Sequence, residues 1–234
     1  GGDVEIAGQR AAGTDGRQKI LQASQPEARA IQAQAVQEMS RDEGREFFKA
    51  HPLTYIYHNR IDAIGDDPKT EASTPEAVEE ALTDVHQLIK TLNNWNVYRV
   101  VVTADHGFLY TDHDLPEAMK ESFPEVDGQV LRRNRCIVAE AFKEPDGYRF
   151  PIQAYSDIAG DWTVGVPRAV NRYRLQGAGE RYAHGGASLQ ELVLPVIEVR
   201  KAREDIADEV GVRLLSKDRV IRSGALSVQF LQTE

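Results

Sequence analysis

Between residues 53 and 103 the sequence runs strand, helix, strand, and this order constrains the fold more than any other stretch. Residues 53–57 (LTYIY) and 99–103 (RVVVT) are short β-branched or aromatic runs without helical period. Between them Val78, Ala81, Leu82, Val85, Leu88, Ile89 and Leu92 recur at three- and four-residue spacing, an apolar stripe that faces a sheet. Pro75 in the first turn, with Glu76, Glu79 and Glu80 near it, suits a helix start and its dipole. Two strands joined by a crossover of this length form a βαβ unit with parallel strands and a right-handed connection. The expected fold class is α/β, a mostly parallel central sheet with flanking helices, with the 99–103 strand buried on both faces.

Parallel strands end on one edge of their sheet, where ligands gather in open α/β folds. Asp62, Asp66 and Asp67 follow the first strand, and Asp105, His106 and Gly107 follow the second. If the strands are neighbours or one apart, the two groups lie within roughly 5 to 10 Å. Asp105-His106 offers a hard oxygen beside an imidazole, a pairing suited to Zn²⁺ or Mn²⁺, or else makes a turn. Asp62 and Asp66 are ligand candidates or helix caps. His184, before Gly185 and Gly186, is a third ligand candidate or a turn histidine. His58 either orients a ligand from behind or ends its strand.

The remaining chain is less decisive. Residues 4–6 read as a short strand, 13–16 as a turn, 17–22 as a helix, and the Ala- and Gln-rich stretch 25–39 as a surface helix. Ser40-Arg-Asp-Glu43 is a capping box that opens a helix ending near Ala50, before Pro52. Residues 111–129 form a polar excursion. Residues 137–142 and 148–154 flank an Asp146-Gly147 turn and predict a hairpin. Residues 156–179 read as loop, Ser188 as a helix cap and 192–199 as a strand. A charged linker, 201–209, then precedes short strands at 210–215, 220–221 and 226–231.

With 37 acidic against 28 basic side chains the net charge is -9, which argues against binding nucleic acid mainly by charge. Arg132, Arg133, Arg135, Arg168, Arg172 and Arg174 form a basic strip that either meets phosphate or is a solvated face. Cys136 is the only cysteine, so an internal disulfide and a thiolate metal cluster are excluded and a reducing cytoplasm fits best. No apolar run approaches the ~18 residues of a membrane span, and no signal peptide is visible, so the expectation is a cytoplasmic protein that meets no membrane. The start at Gly1-Gly2-Asp3, without Met, suggests an excised piece of a longer protein.

Asp62-Ala-Ile-Gly-Asp66, Asp105-His106-Gly107 and His184-Gly185-Gly186, in this order, resemble the alkaline phosphatase superfamily of metal-dependent phospho- and sulfo-hydrolases. More closely, YIYHNRIDAIGDD, VVVTADHGFLY and RYAHGGASLQELVLPVIEV resemble the PglZ domain of bacterial phage-defence loci of the phage-growth-limitation and bacteriophage-exclusion (BREX) type, from about Ile20 to the end. The resemblance implies two divalent metal ions, Zn, Mn or Mg, one held by Asp62, Asp66 and His184 and the other by Asp105 and His106. It implies a phosphoester substrate, with nucleotides and nucleic acid among the candidates, and defence proteins such as a methyltransferase and an ATPase as partners. Asp66 stands where the superfamily has His, which hardens that site toward Mn²⁺ or Mg²⁺. The superfamily's Ser or Thr nucleophile has no match upstream of Asp62, since Thr14 beside Asp15 lacks the strand and ligand context. Residues 1–200 are thus expected to be a partial PglZ, alkaline-phosphatase-like domain lacking the nucleophile half, and 201–234 a linker and the start of a β-rich region. Such a fragment is expected to be inactive alone. The alternative is a scaffold of a defence complex that keeps the metallophosphatase fold without catalysis.

Overall fold

The computed structural model describes residues 5–6, 8–128, 131–144, 147–202, 211–215 and 230–233. Strand Glu5–Ile6 pairs with Gln9–Arg10, and helix α1 (Gly13–Ser24) follows, starting inside the segment expected to turn. Residues 25–39 are not a surface helix. They form strand Arg29–Gln32 and then the short helix α2 (Ala33–Gln37). Ala and Gln favour helix locally, but Arg29–Gln32 pairs in parallel with Thr54–Tyr57, from Arg29 opposite Thr54 to Gln32 opposite Tyr57. Ala28, Ala30, Ala33 and Val36 are buried, so tertiary pairing overrides propensity.

Helix α3 (Arg41–Ala50) opens with the capping box the sequence predicts: Glu43 N–H donates to Ser40 Oγ, and Ser40 N–H donates to the Glu43 carboxylate at 2.9 Å. Helix α4 (Arg60–Gly65) follows the Thr54–Tyr57 strand and packs against helix α5 (Thr74–Asn94). The buried stripe of α5 is narrower than its sequence period. Ala77, Ala81, Leu88 and Leu92 are buried, whereas Leu82 is 62% exposed. Ala33, Val36, Leu88, Leu92 and Trp95 form the core, and Ile31, Phe48, Ile56, Val97 and Val100 pack on it.

Arg99–Thr103 pairs with Val196–Arg200 rather than, among the described residues, with Thr54–Tyr57. Nor is it buried on both faces. Val100 meets the core while Val101 is half exposed, because α2, α3 and α5 contribute to a core on one side only. The Asp-Gly hairpin also differs from expectation. Strand Thr163–Val166, in the stretch read as loop, lies between Ile137–Ala139 and Tyr148–Pro151 and pairs antiparallel with both. Its Gly165 suggested a loop, but the residue is a packing requirement: a Cβ there would sit 2.7 Å from the Phe142 ring. Leu131–Arg132 completes this four-stranded sheet.

By contacts the chain divides into Gly1–Val199 and Arg200–Glu234. In the second unit Gly211–Leu214 pairs antiparallel with Phe230–Thr233. Val4, the 145–146 turn, residues 203–209 of the linker and the 220–221 run lie outside the described residues. No helix among the described residues is long and apolar enough to cross a membrane.

Candidate functional site

Three segments far apart in sequence bring the acidic and imidazole side chains together. Asp62 sits in the first turn of α4 and Asp66 caps its end, with Asp66 N–H donating to the Asp62 carbonyl at 2.9 Å. This four-residue spacing puts both carboxylates on one helix face. Asp105 and His106 follow the Arg99–Thr103 strand. Directly after them Gly107 N–H donates to Glu191 O at 2.9 Å, and a Cβ on Gly107 would lie 2.0 Å from Gln190 O. Only glycine lets the chain lie this close to helix α6 (Leu189–Leu192). His184 follows strand Tyr182–Ala183, which pairs antiparallel with Leu109–Tyr110, Ala183 opposite Leu109. One ladder therefore ties the His106 segment to the His184 segment.

Two buried carboxylates hold these segments in place. Glu71 accepts the backbone N–H groups of Glu180, Arg181 and Tyr182 at 3.2, 2.9 and 3.3 Å. Glu191 accepts two hydrogen bonds from Arg135, at 2.9 and 2.6 Å, and others from Gly186 N–H and Ser188 Oγ. Burial would raise the Glu191 carboxyl, but its hydrogen bonds from Arg135 and Ser188 outweigh it and lower the pKa to about 2. Arg135 also donates to the carbonyls of Ala169 and Asn171.

At the cluster itself, His106 Nε2 lies 3.6 Å from Asp62 Oδ2 and 3.9 Å from Asp105 Oδ1. His184 Nε2 lies 3.2 Å from Asp66 Oδ1. The two imidazoles stack, ring centroids 4.1 Å apart and planes 4° from parallel. All five side chains thus form one connected group. Asp105 is 82% exposed, and Asp62 and Asp66 line an open depression with Asn59, Ala63, Asp67 and Pro68. Tyr182 donates its hydroxyl to Asp62 Oδ1. Its ring occupies the space where a Cβ on Gly65 would be, at 2.5 Å, and packs on Phe108 at 4.9 Å. Burial, and then the hydrogen bond to Asp62 and the charges of Asp62, Asp66 and Asp105, push the phenol far above its ordinary pKa, so it stays a donor.

Three carboxylates and two imidazoles are the ligand types of Zn²⁺ or Mn²⁺. Neighbouring ligands around a four-coordinate ion, each at about 2.0–2.2 Å, are roughly 3.3 Å apart, and the 3.2 Å Asp66–His184 contact has the spacing of adjacent donors. Among the described residues, no three or more such groups surround a single point in the way that could hold an ion. The donor set fits in type, and its contacts are pairwise.

Other residues singled out by sequence are engaged elsewhere. His58 Nε2 meets Asp84 of α5 at 3.3 Å, beside Arg60 at 3.0 Å from the same carboxylate. Thr14 Oγ1 accepts from Gln32 at 2.8 Å. Arg135 and Arg172 are not part of a solvated face, for both are buried. Sequence reasoning assigned no role to Tyr182 or Glu71. For Tyr182 the signal was its place two residues before His184; for Glu71 there was none, because its partners are backbone N–H groups more than a hundred residues away.

The description "BREX system PglZ alkaline phosphatase-like domain" matches residues 1–199. "Alkaline phosphatase-like protein PglZ" of Bacillus cereus (strain H3081.97) is 34% identical over 237 residues, covering 99% of this chain and 28% of that protein. "Alkaline phosphatase-like protein BrxZ" of Escherichia coli O9:H4 (strain HS) is 29% identical over 212 residues, covering 89% of this chain and 24% of that protein. The chain therefore spans about a quarter of the length of these relatives. No solved structure matches it.

Proposed function

Since the chain belongs to the BREX-system family of PglZ alkaline phosphatase-like domains, we propose that it carries the metal-binding part of a phosphoester hydrolase acting in bacterial defence against phage. The observation that carries this reading is the convergence of Asp62, Asp66, Asp105, His106 and His184 from three segments into one connected cluster. Asp62, Asp66 and His184 are proposed for one divalent ion, and Asp105 with His106 for a second. Bound there, divalent ions polarise phosphoryl oxygens and activate a nucleophile. The chain's own part is to set the donors. Tyr182 fixes one oxygen of Asp62, the Tyr182–Ala183 ladder presents His184 next to His106, and exposed Asp105 leaves the cluster open to a substrate.

The same reading extends to the fold. Arg29–Gln32 and Thr54–Tyr57 pair in parallel, and this supports a mostly parallel central sheet. Residues 1–200 are proposed to be part of the alkaline-phosphatase-like domain, and 201–234 a linker and the beginning of a β-rich region. In proteins of the relatives' length the nucleophile is proposed to come from outside this stretch. Nucleotides or nucleic acid are the proposed substrates, and a methyltransferase and an ATPase of the same defence system the proposed partners.

A second reading, a scaffold that keeps the fold without catalysis, is favoured by the paired rather than three-sided arrangement of donors. The two separate in a protein of full length. With Mn²⁺ or Zn²⁺ added, hydrolysis of nitrophenyl phosphate mono- and diesters should fall at least ~100-fold in Asp105→Ala and His184→Ala variants, with phage defence lost in parallel. Undiminished defence in both variants would establish the scaffold and end the hydrolase reading.

A further inference from the structure

One stretch beside the cluster is exposed where its residue types would be buried. Leu189, Leu192, Val193 and Val196 are 75, 62, 67 and 73% exposed, and all are large and apolar. The apolar surface continues onto the neighbouring strand. Val196–Arg200 pairs with Arg99–Thr103, and the Arg99–Glu198 ion pair across that ladder puts these two side chains on one face. Alternation along each strand then puts Val101 and Val196 on the same face, turned away from the core that Val100 meets. Val101 is 50% exposed. Between residues 189 and 197 the ridge offers no charge to solvent, because its one ionic side chain, Glu191, is buried in its pairing with Arg135.

Single exposed apolar residues are ordinary, but a contiguous uncharged patch marks an interface. An α/β sheet carries helices on both faces, and here α2, α3 and α5 build a core on one side only. The lack of exposed charge suits an apolar protein surface rather than nucleic acid or a charged peptide. The relatives are long enough to supply that surface themselves, since this chain spans only 28% and 24% of their length. A second copy fits less well, because it brings the same net charge of -9.

We propose that, in a protein of the relatives' length, an amphipathic helix from another part of the same polypeptide lays its apolar stripe over Val101, Val196 and the α6 ridge. Glu191 O accepts the Gly107 N–H at 2.9 Å, directly after Asp105 and His106, so this helix also borders the cluster. Its docking rests on apolar contact and does not depend on whether the cluster takes metal.

The test is hydroxyl-radical footprinting of the longer protein and of the 234-residue chain alone, read by mass spectrometry on the peptides that carry residues 101 and 189–196, with the unfolded longer protein as reference. Labelling of Leu189, Leu192, Val193 and Val196 should be strong in the chain alone and lost in the longer protein as a monomer. Leu192→Asp combined with Val196→Asp should leave the Tm of the chain alone unchanged to within about 2 °C. In the longer protein the same pair should lower the Tm by several degrees, since two carboxylates are forced into an apolar contact. Should that variant fail to fold, the footprint of the native longer protein decides alone. The proposal is overturned if these residues are labelled as strongly in the longer protein as in its unfolded state, or if the monomeric chain alone already protects them. Protection of the chain alone that rises with its concentration would assign the face to a second copy and overturn it as well.

Discussion

Tyr182 and Glu191 act on the cluster from behind it, each through a hydrogen bond that sets another group. For Tyr182 the group is Asp62. Tyr182→Phe keeps the ring over Gly65 and deletes only the donor, so Mn²⁺ or Zn²⁺ affinity should drop about 10- to 100-fold, as when support behind a ligand is lost. Calorimetric titration would read this, with Tm nearly unchanged; an unaltered affinity would show that the hydroxyl sets nothing. Glu191 is a matter of stability. Its folded pKa, about 2, lies below the unfolded value, so its contribution is present at neutral pH and is lost as pH falls from about 4.3 toward 2. The contribution is on the order of 3 kcal/mol. Glu191→Gln strands the buried Arg135 and should cost about 3–5 kcal/mol at pH 7 by urea unfolding, while flattening that acid limb; a limb of unchanged depth would refute the assignment.

Among the elements, α3 and α5 were legible because their signals are local. Ser40 and Glu43 satisfy each other within one turn, and α5 carries an apolar period along its length. The Arg29–Gln32 and Thr163–Val166 strands were not, because what selects them lies elsewhere in the chain. The partner of Arg29–Gln32 is Thr54–Tyr57, and Gly165 is needed for the Phe142 ring. The face of α5 can be checked directly. Leu92, 2% exposed, should lose about 2–5 kcal/mol on change to Ala, whereas Leu82→Ala should stay within about 0.5 kcal/mol; equal losses would mean the stripe is as wide as its sequence period. At α3, a Cβ on Gly44 would lie 2.4 Å from the Trp95 ring. Gly44→Ala should therefore cost about 1–3 kcal/mol through overpacking, despite the better helix propensity of Ala.

For the molecule as a whole, the candidate residues could be named from sequence but their arrangement could not. Asp62, Asp66, Asp105, His106 and His184 stand out as oxygen and nitrogen donors beside strand ends and glycines. Which imidazole faces which carboxylate depends on a ladder between residues 109–110 and 182–183 and on the Glu71 and Glu191 anchors. Arg172 shows the same limit from the other side: within a basic strip it read as a phosphate contact or a solvated face, and only the fold shows it buried, with its Nε and Nη2 lacking an acceptor. The central claim is that the five converging side chains form a divalent-metal centre, and titration of the metal-free chain with Mn²⁺ and Zn²⁺ by calorimetry tests it most directly. Saturable uptake is expected, with an affinity that falls at least ~10-fold in each of Asp66→Ala, Asp105→Ala and His184→Ala, since each removes a ligand. Absence of uptake by the native chain, or uptake unchanged in all three variants, would contradict it.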